Sequence, residues 1–208
     1  SETGVLTDVM LGSPAYLEAV ACCAVTAANL RDGFAACRET ARRQHDGLRA
    51  ALTAEGVRCH YAPAVAGMPD MAFVRDAVTM TPWGLMRLSP AQPHRRAEAE
   101  HIARFARHLG VPLLTPDFGE ATAEGGDIAV ARPGLLVIGI SEERTSEAGA
   151  AIVARPFEQA GWQVIRCRFD PHFLHLDTQF CMLDASTALA CRDVLSDEFL
   201  AEIDALGI

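Results

Sequence analysis

From Gly126 to Phe169 the chain reads GDIAVARPGLLVIGISEERTSEAGAAIVARPFEQAGWQVIRCRF. Ile128 to Ala131 is a short apolar strand, Arg132-Pro-Gly134 a turn, and Leu135 to Ile140 a second, fully apolar strand. The spacing then predicts a helix that opens at Arg144 and runs to about Ala160. Gly161 stops it, and Trp162 to Cys167 forms a third strand. The order is strand, turn, strand, helix, Gly, strand: a ββαβ unit.

The same order recurs on either side. Upstream, Met71-Ala-Phe-Val74 and Ala77 to Met80 lead into a turn at Thr81-Pro-Trp-Gly84 and a run at Leu85-Met-Arg-Leu88. A basic start, His94-Arg-Arg96, opens a helix to Leu109 whose Ile102, Phe105, Ala106 and Leu109 keep the 3.6-residue period. Gly110 stops it before a strand at Val111-Pro-Leu-Leu114. Downstream, Leu174 to Leu183 reads as a strand, Asp184-Ala-Ser186 as a turn, Thr187 to Ala190 as the returning strand and Asp197 to Leu206 as a helix. The stopping glycines Gly56, Gly110, Gly161 and Gly207 recur at intervals of 54, 51 and 46 residues. The expectation is an α/β propeller of ββαβ modules, about four present, in a single domain over 1–208. The fourth module lacks its last strand, so that domain is expected to be incomplete at its C-terminal end.

Composition sets outer bounds. The 208 residues are 50% apolar and 22% charged, the balance of a globular protein rather than a disordered one. The longest weakly polar run, Ala19 to Ala28, is too short to span a bilayer, and no signal-peptide pattern is present. A net charge of −9 argues against a nucleic-acid backbone as the main partner, and no membrane partner is expected. The seven cysteines are odd in number and include no C-x-x-C pair, which predicts buried reduced thiols in a cytoplasmic protein rather than disulfides or a zinc site. No G-x-G-x-x-G joins a strand to a helix, which excludes a dinucleotide fold.

Polar groups interrupt each module near its first strand: Asp70, Arg75 and Asp76; Glu124-Gly-Gly-Asp127; His172, then His175-Leu-Asp177. Singly these read as turn formers or a satisfied core histidine. In a radial arrangement they converge on one cavity, where burying them without a use is costly. Arg95 and Arg144 each start a module's helix, either as solvated first-turn residues or as forks that grip a carboxylate. His45, His60, His94, His101 and His108 lack this context and read as surface residues.

With these motifs on the page, the chain resembles the guanidine-modifying enzymes of the pentein superfamily: arginine deiminase, dimethylarginine dimethylaminohydrolase and the amidinotransferases. The carriers are Thr7-Asp-Val-Met-Leu11, Pro69-Asp-Met-Ala-Phe-Val-Arg-Asp76, Glu124-Gly-Gly-Asp127, Gly139-Ile-Ser-Glu-Glu-Arg144-Thr and His175-Leu-Asp177. The resemblance implies a five-fold pseudosymmetric propeller and hydrolysis of a small guanidino substrate, arginine or an N-methylated arginine, with no cofactor or metal. It implies that Asp76 and Asp177 hold the guanidinium and that Glu124 orients His175, the proton carrier. It places Asp70, Phe73 and Arg75 beside the substrate, and Arg95 and Arg144 on its α-carboxylate. The family's nucleophilic cysteine lies in a Gly-rich C-terminal segment with no counterpart in 1–208; Cys181 and Cys191 lack its context. Three rivals stand beside this reading: amidino transfer on the same scaffold, a non-catalytic arginine-binding protein, and an iron site built on the H-x-D spacing of His175 and Asp177. Strand edges left open in a four-module fragment favour self-association, so a homodimer is a possible state and a dimer of this fragment alone is no proof of a physiological one.

Overall fold

A computed structural model describes residues 2–208. Strand β1 (Asp8–Gly12) is followed by helices α1 (Ala24–Arg31) and α2 (Arg38–Ala54) and by β2 (Arg58–Ala62), which pairs parallel to β1. A one-turn helix α3 (Val74–Ala77) leads into the hairpin β3 (Val78–Thr81) and β4 (Gly84–Arg87). Helix α4 (Arg96–His108) then crosses over to β5 (Leu113–Leu114), parallel to β4. The next unit repeats this order: antiparallel β6 (Ile128–Arg132) and β7 (Leu135–Ile140), helix α5 (Glu147–Gln159), and β8 (Gln163–Arg168) parallel to β7. The chain continues through the hairpin β9 (Phe180–Met182) and β10 (Ala188–Ala190) to α6 (Asp197–Ala205). Among the described residues the strands form four separate open sheets of two or three strands. The class is α/β, and two copies of the ββαβ unit are complete.

The four stopping glycines carry φ of +80°, +78°, +78° and +72°, the left-handed conformation that ends each helix. Between sheet and helix the apolar faces close. Phe157, fully buried on α5, meets Trp83 and Trp162 edge-on at centroid separations of 5.1 and 5.2 Å. Ala99, Ile102, Ala103 and Ala106 form the inner face of α4. No helix among the described residues is long and apolar enough to cross a membrane.

Several boundaries differ from the sequence reading. Helix α5 begins at Glu147 rather than Arg144, because Ser146 caps it by accepting the Gly149 N–H at 3.1 Å. Arg144 therefore lies in the loop before the helix. Asp76 sits on α3 rather than at the start of a strand. The run from Leu174 to Leu183 is extended only at β9. Before it, Asp170 caps a 3-10 turn at Pro171–Phe173, Leu174 has φ +66°, and the Thr178 hydroxyl bonds to the carbonyls of Phe173 and His175. These local bonds coil the segment and aim His175 inward. Of the seven cysteines, all free, only Cys167 is buried; Cys37 and Cys191 are exposed.

Candidate active site

The site forms where α3, the Glu-Gly-Gly-Asp turn and the coiled segment before β9 meet. Close backbone approach makes this junction. A Cβ on Gly125 would stand 1.9 Å from the Arg75 carbonyl oxygen, and one on Gly126 would stand 2.6 Å from Cγ and Nδ1 of His175. The two glycines let the Asp76 segment and the His175 ring pack closely against one stretch of backbone.

His175 and Glu124 are buried, and Nε2–H of His175 donates to Glu124 Oε2 at 2.8 Å. Glu124 Oε1 accepts the Ala91 N–H at 2.9 Å and lies 3.7 Å from Arg144 Nη1. Burial works against the charged Glu124 carboxyl, but the His175 bond, the charges of His175 and Arg144 and the Ala91 N–H outweigh it and hold its pKa below the usual value. Burial likewise opposes the imidazolium, yet Glu124, Asp76 and Asp127 together hold His175 above its ordinary value. The other ring nitrogen, Nδ1, faces Asp76 Oδ1 at 3.8 Å.

Asp76 is held from behind. Its Oδ2 accepts from Arg95 Nη1 at 2.7 Å. Arg95 is buried and donates further to Glu98 Oε2 at 3.1 Å and to the carbonyls of Asp70 and Phe73 at 3.4 and 3.0 Å. The sequence reading aims Arg95 at a substrate carboxylate; here its guanidinium is filled by the protein's own groups. Arg144 is different: it is buried, and its Nε has no hydrogen-bond partner among the described residues. Arg75 lies 3.3 Å from Asp177 Oδ2 and donates to Glu2 and to the Ile128 carbonyl. Burial pushes the Asp177 carboxyl up, against the pull of Arg75 and His175. Phe73 is exposed and Asp70 half-buried at the rim.

Two residues escaped the sequence reading. His94, expected on the surface, is half-buried and meets Asp70 Oδ2 at 2.8 Å. Glu98 is fully buried; its Oε1 accepts the Asp70 N–H at 2.9 Å, and burial raises its carboxyl pKa despite Arg95. Its signal was present: a Glu three residues after Arg95, beside the inward Ala99 and Ile102. His45 and His60 are also half-buried, against Tyr61 and Asp8 respectively.

Asp76, Glu124 and His175 bring ligand atoms within 4.8 Å of one another, whereas Asp177 stands outside that group, so the H-x-D pair does not assemble as one ligand set. None of the seven thiols hydrogen-bonds to His175, Glu124, Asp76 or Asp177 among the described residues. Chemically the arrangement offers carboxylates for a flat cation beside a histidine braced to carry a proton.

Known proteins share this chain's pattern. The family model for arginine deiminase matches residues 60–207. Arginine deiminase from Borrelia duttonii (strain Ly) is 30% identical over 143 residues, covering 63% of this chain and 34% of that protein. The enzyme from Limosilactobacillus reuteri (strain DSM 20016) is 28% identical over 127 residues, 56% of this chain and 31% of that one. The chain thus spans about a third of the curated relatives it matches. Among solved structures, a dimethylarginine dimethylaminohydrolase adduct superposes with TM-score 0.73 at 25% identity, covering 89% of this chain and 69% of that one. The Pseudomonas aeruginosa enzyme of the same name, a mutant complexed with citrulline, gives 0.77 at 24% identity over 95% and 74%. The N-terminal domain of the cyanobacterial arginine dihydrolase ArgZ, bound to product, gives 0.83 at 18% over 97% and 72%.

Proposed function

Because the chain belongs to the arginine deiminase family of the pentein superfamily, we propose that it supplies the guanidinium-holding and proton-carrying part of an amidine hydrolase acting on arginine or an N-methylated arginine. The observation that carries this reading is the buried His175–Glu124 pair at 2.8 Å, with Asp76 facing the other ring nitrogen at 3.8 Å.

A guanidinium carbon is a poor electrophile. Asp76 and Asp177 fix its nitrogens and align it for attack. The attacking group on this reading is a cysteine thiolate. A C–S bond forms and a C–N π pair moves onto nitrogen, giving a tetrahedral adduct. The C–N bond to the departing nitrogen then breaks, and His175 as imidazolium delivers the proton that lets ammonia or methylamine leave. The neutral His175 next takes a proton from water as the C–O bond forms. Collapse breaks C–S and returns the thiolate, and the carbinol O–H proton passes through solvent to the released amine, leaving the neutral ureido product, citrulline. Glu124 keeps the imidazole oriented and favours its protonated form. Arg144, with a buried unpartnered Nε, receives the α-carboxylate. Arg95 braces Asp76, Arg75 braces Asp177, and Asp70 with Phe73 shapes the rim.

The test is citrulline and ammonia release from L-arginine by the intact protein. The reading expects equimolar products from the wild type and, for His175→Ala, a loss of about a thousandfold or more. Turnover by His175→Ala at the wild-type rate overturns it.

A further inference from the structure

Asp127 and Thr145 have no part in the chemistry above, yet both are fully buried. Their hydrogen bonds close a ring around the acid–base pair. The Glu124 N–H donates to Thr145 Oγ1 at 3.1 Å, and the Thr145 hydroxyl donates to Asp127 Oδ2 at 2.6 Å. Asp127 Oδ1 accepts the Leu176 N–H at 2.9 Å, and the ring closes through His175 and Glu124 at 2.8 Å. Three separate stretches of chain meet here: the turn before β6, the loop between β7 and α5, and the coiled segment before β9. Gly139 makes room, since a Cβ there would lie 2.7 Å from Leu176 Cβ and 3.1 Å from Asp127 Oδ1. One carboxylate and one hydroxyl thus tie down the backbone on both sides of the His175–Glu124 contact.

We propose that Asp127 and Thr145 are positioning residues, whose ring of hydrogen bonds sets the separation and orientation of His175 and Glu124 without touching the substrate. The functional part of this inference rests on the acid–base reading of that pair, so the primary readout needs no turnover. Asp127 also faces His175 as a charge, alongside Glu124 from the preceding turn, Asp76 from α3 and Asp177 from its own segment. Arg144 bears on Glu124. Substituting Asp127 therefore changes field and geometry together, whereas Thr145→Val removes only the hydroxyl.

The experiment follows the His175 imidazole by nitrogen-edited NMR across a pH titration, together with kcat and KM for L-arginine in the intact protein. Thr145→Val is expected to lower the His175 midpoint by about half a unit or more. Its kcat should fall about tenfold or more with KM within about twofold. Thr145→Ser, which restores the hydroxyl, should recover both. Should valine not be accommodated, Thr145→Ala removes the same hydroxyl without added bulk. Ser146→Ala is the control, because it loses the α5 cap next door and leaves the ring intact. The proposal is overturned if His175 titrates unchanged in the hydroxyl-less variants, or if Ser146→Ala moves it as far. If every form including the wild type is inactive, the functional reading fails, and the titration still decides the positioning role.

Discussion

Gly126→Ala puts the junction of the site to a direct test. The new Cβ would sit 2.6 Å from His175 Cγ and Nδ1 and 2.9 Å from its Cβ. Ordinary carbon contacts lie at about 3.5–4.0 Å, so the ring must retreat by about 1 Å. The backbone has little room to yield instead, because at the neighbouring Gly125 a Cβ would already stand 1.9 Å from the Arg75 carbonyl oxygen. A retreat of that size opens the 2.8 Å contact with Glu124 beyond hydrogen-bond range. Overpacking costs about 1–3 kcal/mol, and the lost charge-assisted bond adds to it, for about 3 kcal/mol in all. In a chain of this length that lowers Tm by about 6–12 °C. The misplaced imidazole loses about a hundredfold in turnover. Thermal melting followed by circular dichroism gives the first number, and citrulline release by the intact protein gives the second. A variant that melts within about 1 °C of wild type and keeps its His175 titration would refute the packing argument.

Other consequences follow from the same geometry. Gly47→Ala, in the exposed middle of α2 with no atom within 4 Å of the added Cβ, should stabilise by about 0.5–1 kcal/mol in a urea melt, and a destabilised variant would contradict the helix placement. Arg95→Met leaves Asp76 and the buried Glu98 without their cation and should cost about 3–5 kcal/mol in the same assay, whereas a neutral effect would mean that Arg95 does not brace them. Burial raises the Asp127 carboxyl from 3.8 to about 6, so its contribution to stability is full below about pH 4 and is lost as pH rises through 6, a fall of about 3 kcal/mol. Glu98 and Asp177, also raised, share that sign. Glu124, held low, loses its contribution below its ordinary 4.5, and His175, held high, keeps its own in full below 6.5 and loses it above its folded value. Urea melts between pH 4.5 and 6.5 should therefore show stability falling in the wild type and falling less in Asp127→Asn; equal slopes would exclude Asp127 as a source.

The repeat was legible because it is written in signals that need no tertiary context. The apolar run at Leu135 to Ile140 and the left-handed glycines after each helix define the ββαβ unit by local chemistry alone. Where side chains bond back to their own backbone, that legibility fails. The hydroxyl of Thr178 and the cap at Asp170 turn an apolar stretch into 3-10 coil, and Ser146 delays α5 by a few residues past Arg144. The convergence of Asp76, Glu124 and His175 was readable from equivalent places in the repeat. The partners behind them were not. Arg95 is engaged by Asp76, Glu98 and two carbonyls, a fact set by how α4 docks on α3 rather than by spacing. His94 was read as a surface residue for the same reason: its partner, Asp70, lies 24 positions away.

On the proposed function, Asp76 and its neighbours hold a guanidinium. Calorimetric titration of the intact protein with L-arginine, and in parallel with L-ornithine, which keeps the amino acid end and loses the guanidinium, tests it most directly. Arginine is expected to bind and ornithine not to compete, and Asp76→Asn to weaken arginine by about tenfold or more. Equal binding of the two ligands, or arginine affinity untouched by Asp76→Asn, would contradict it.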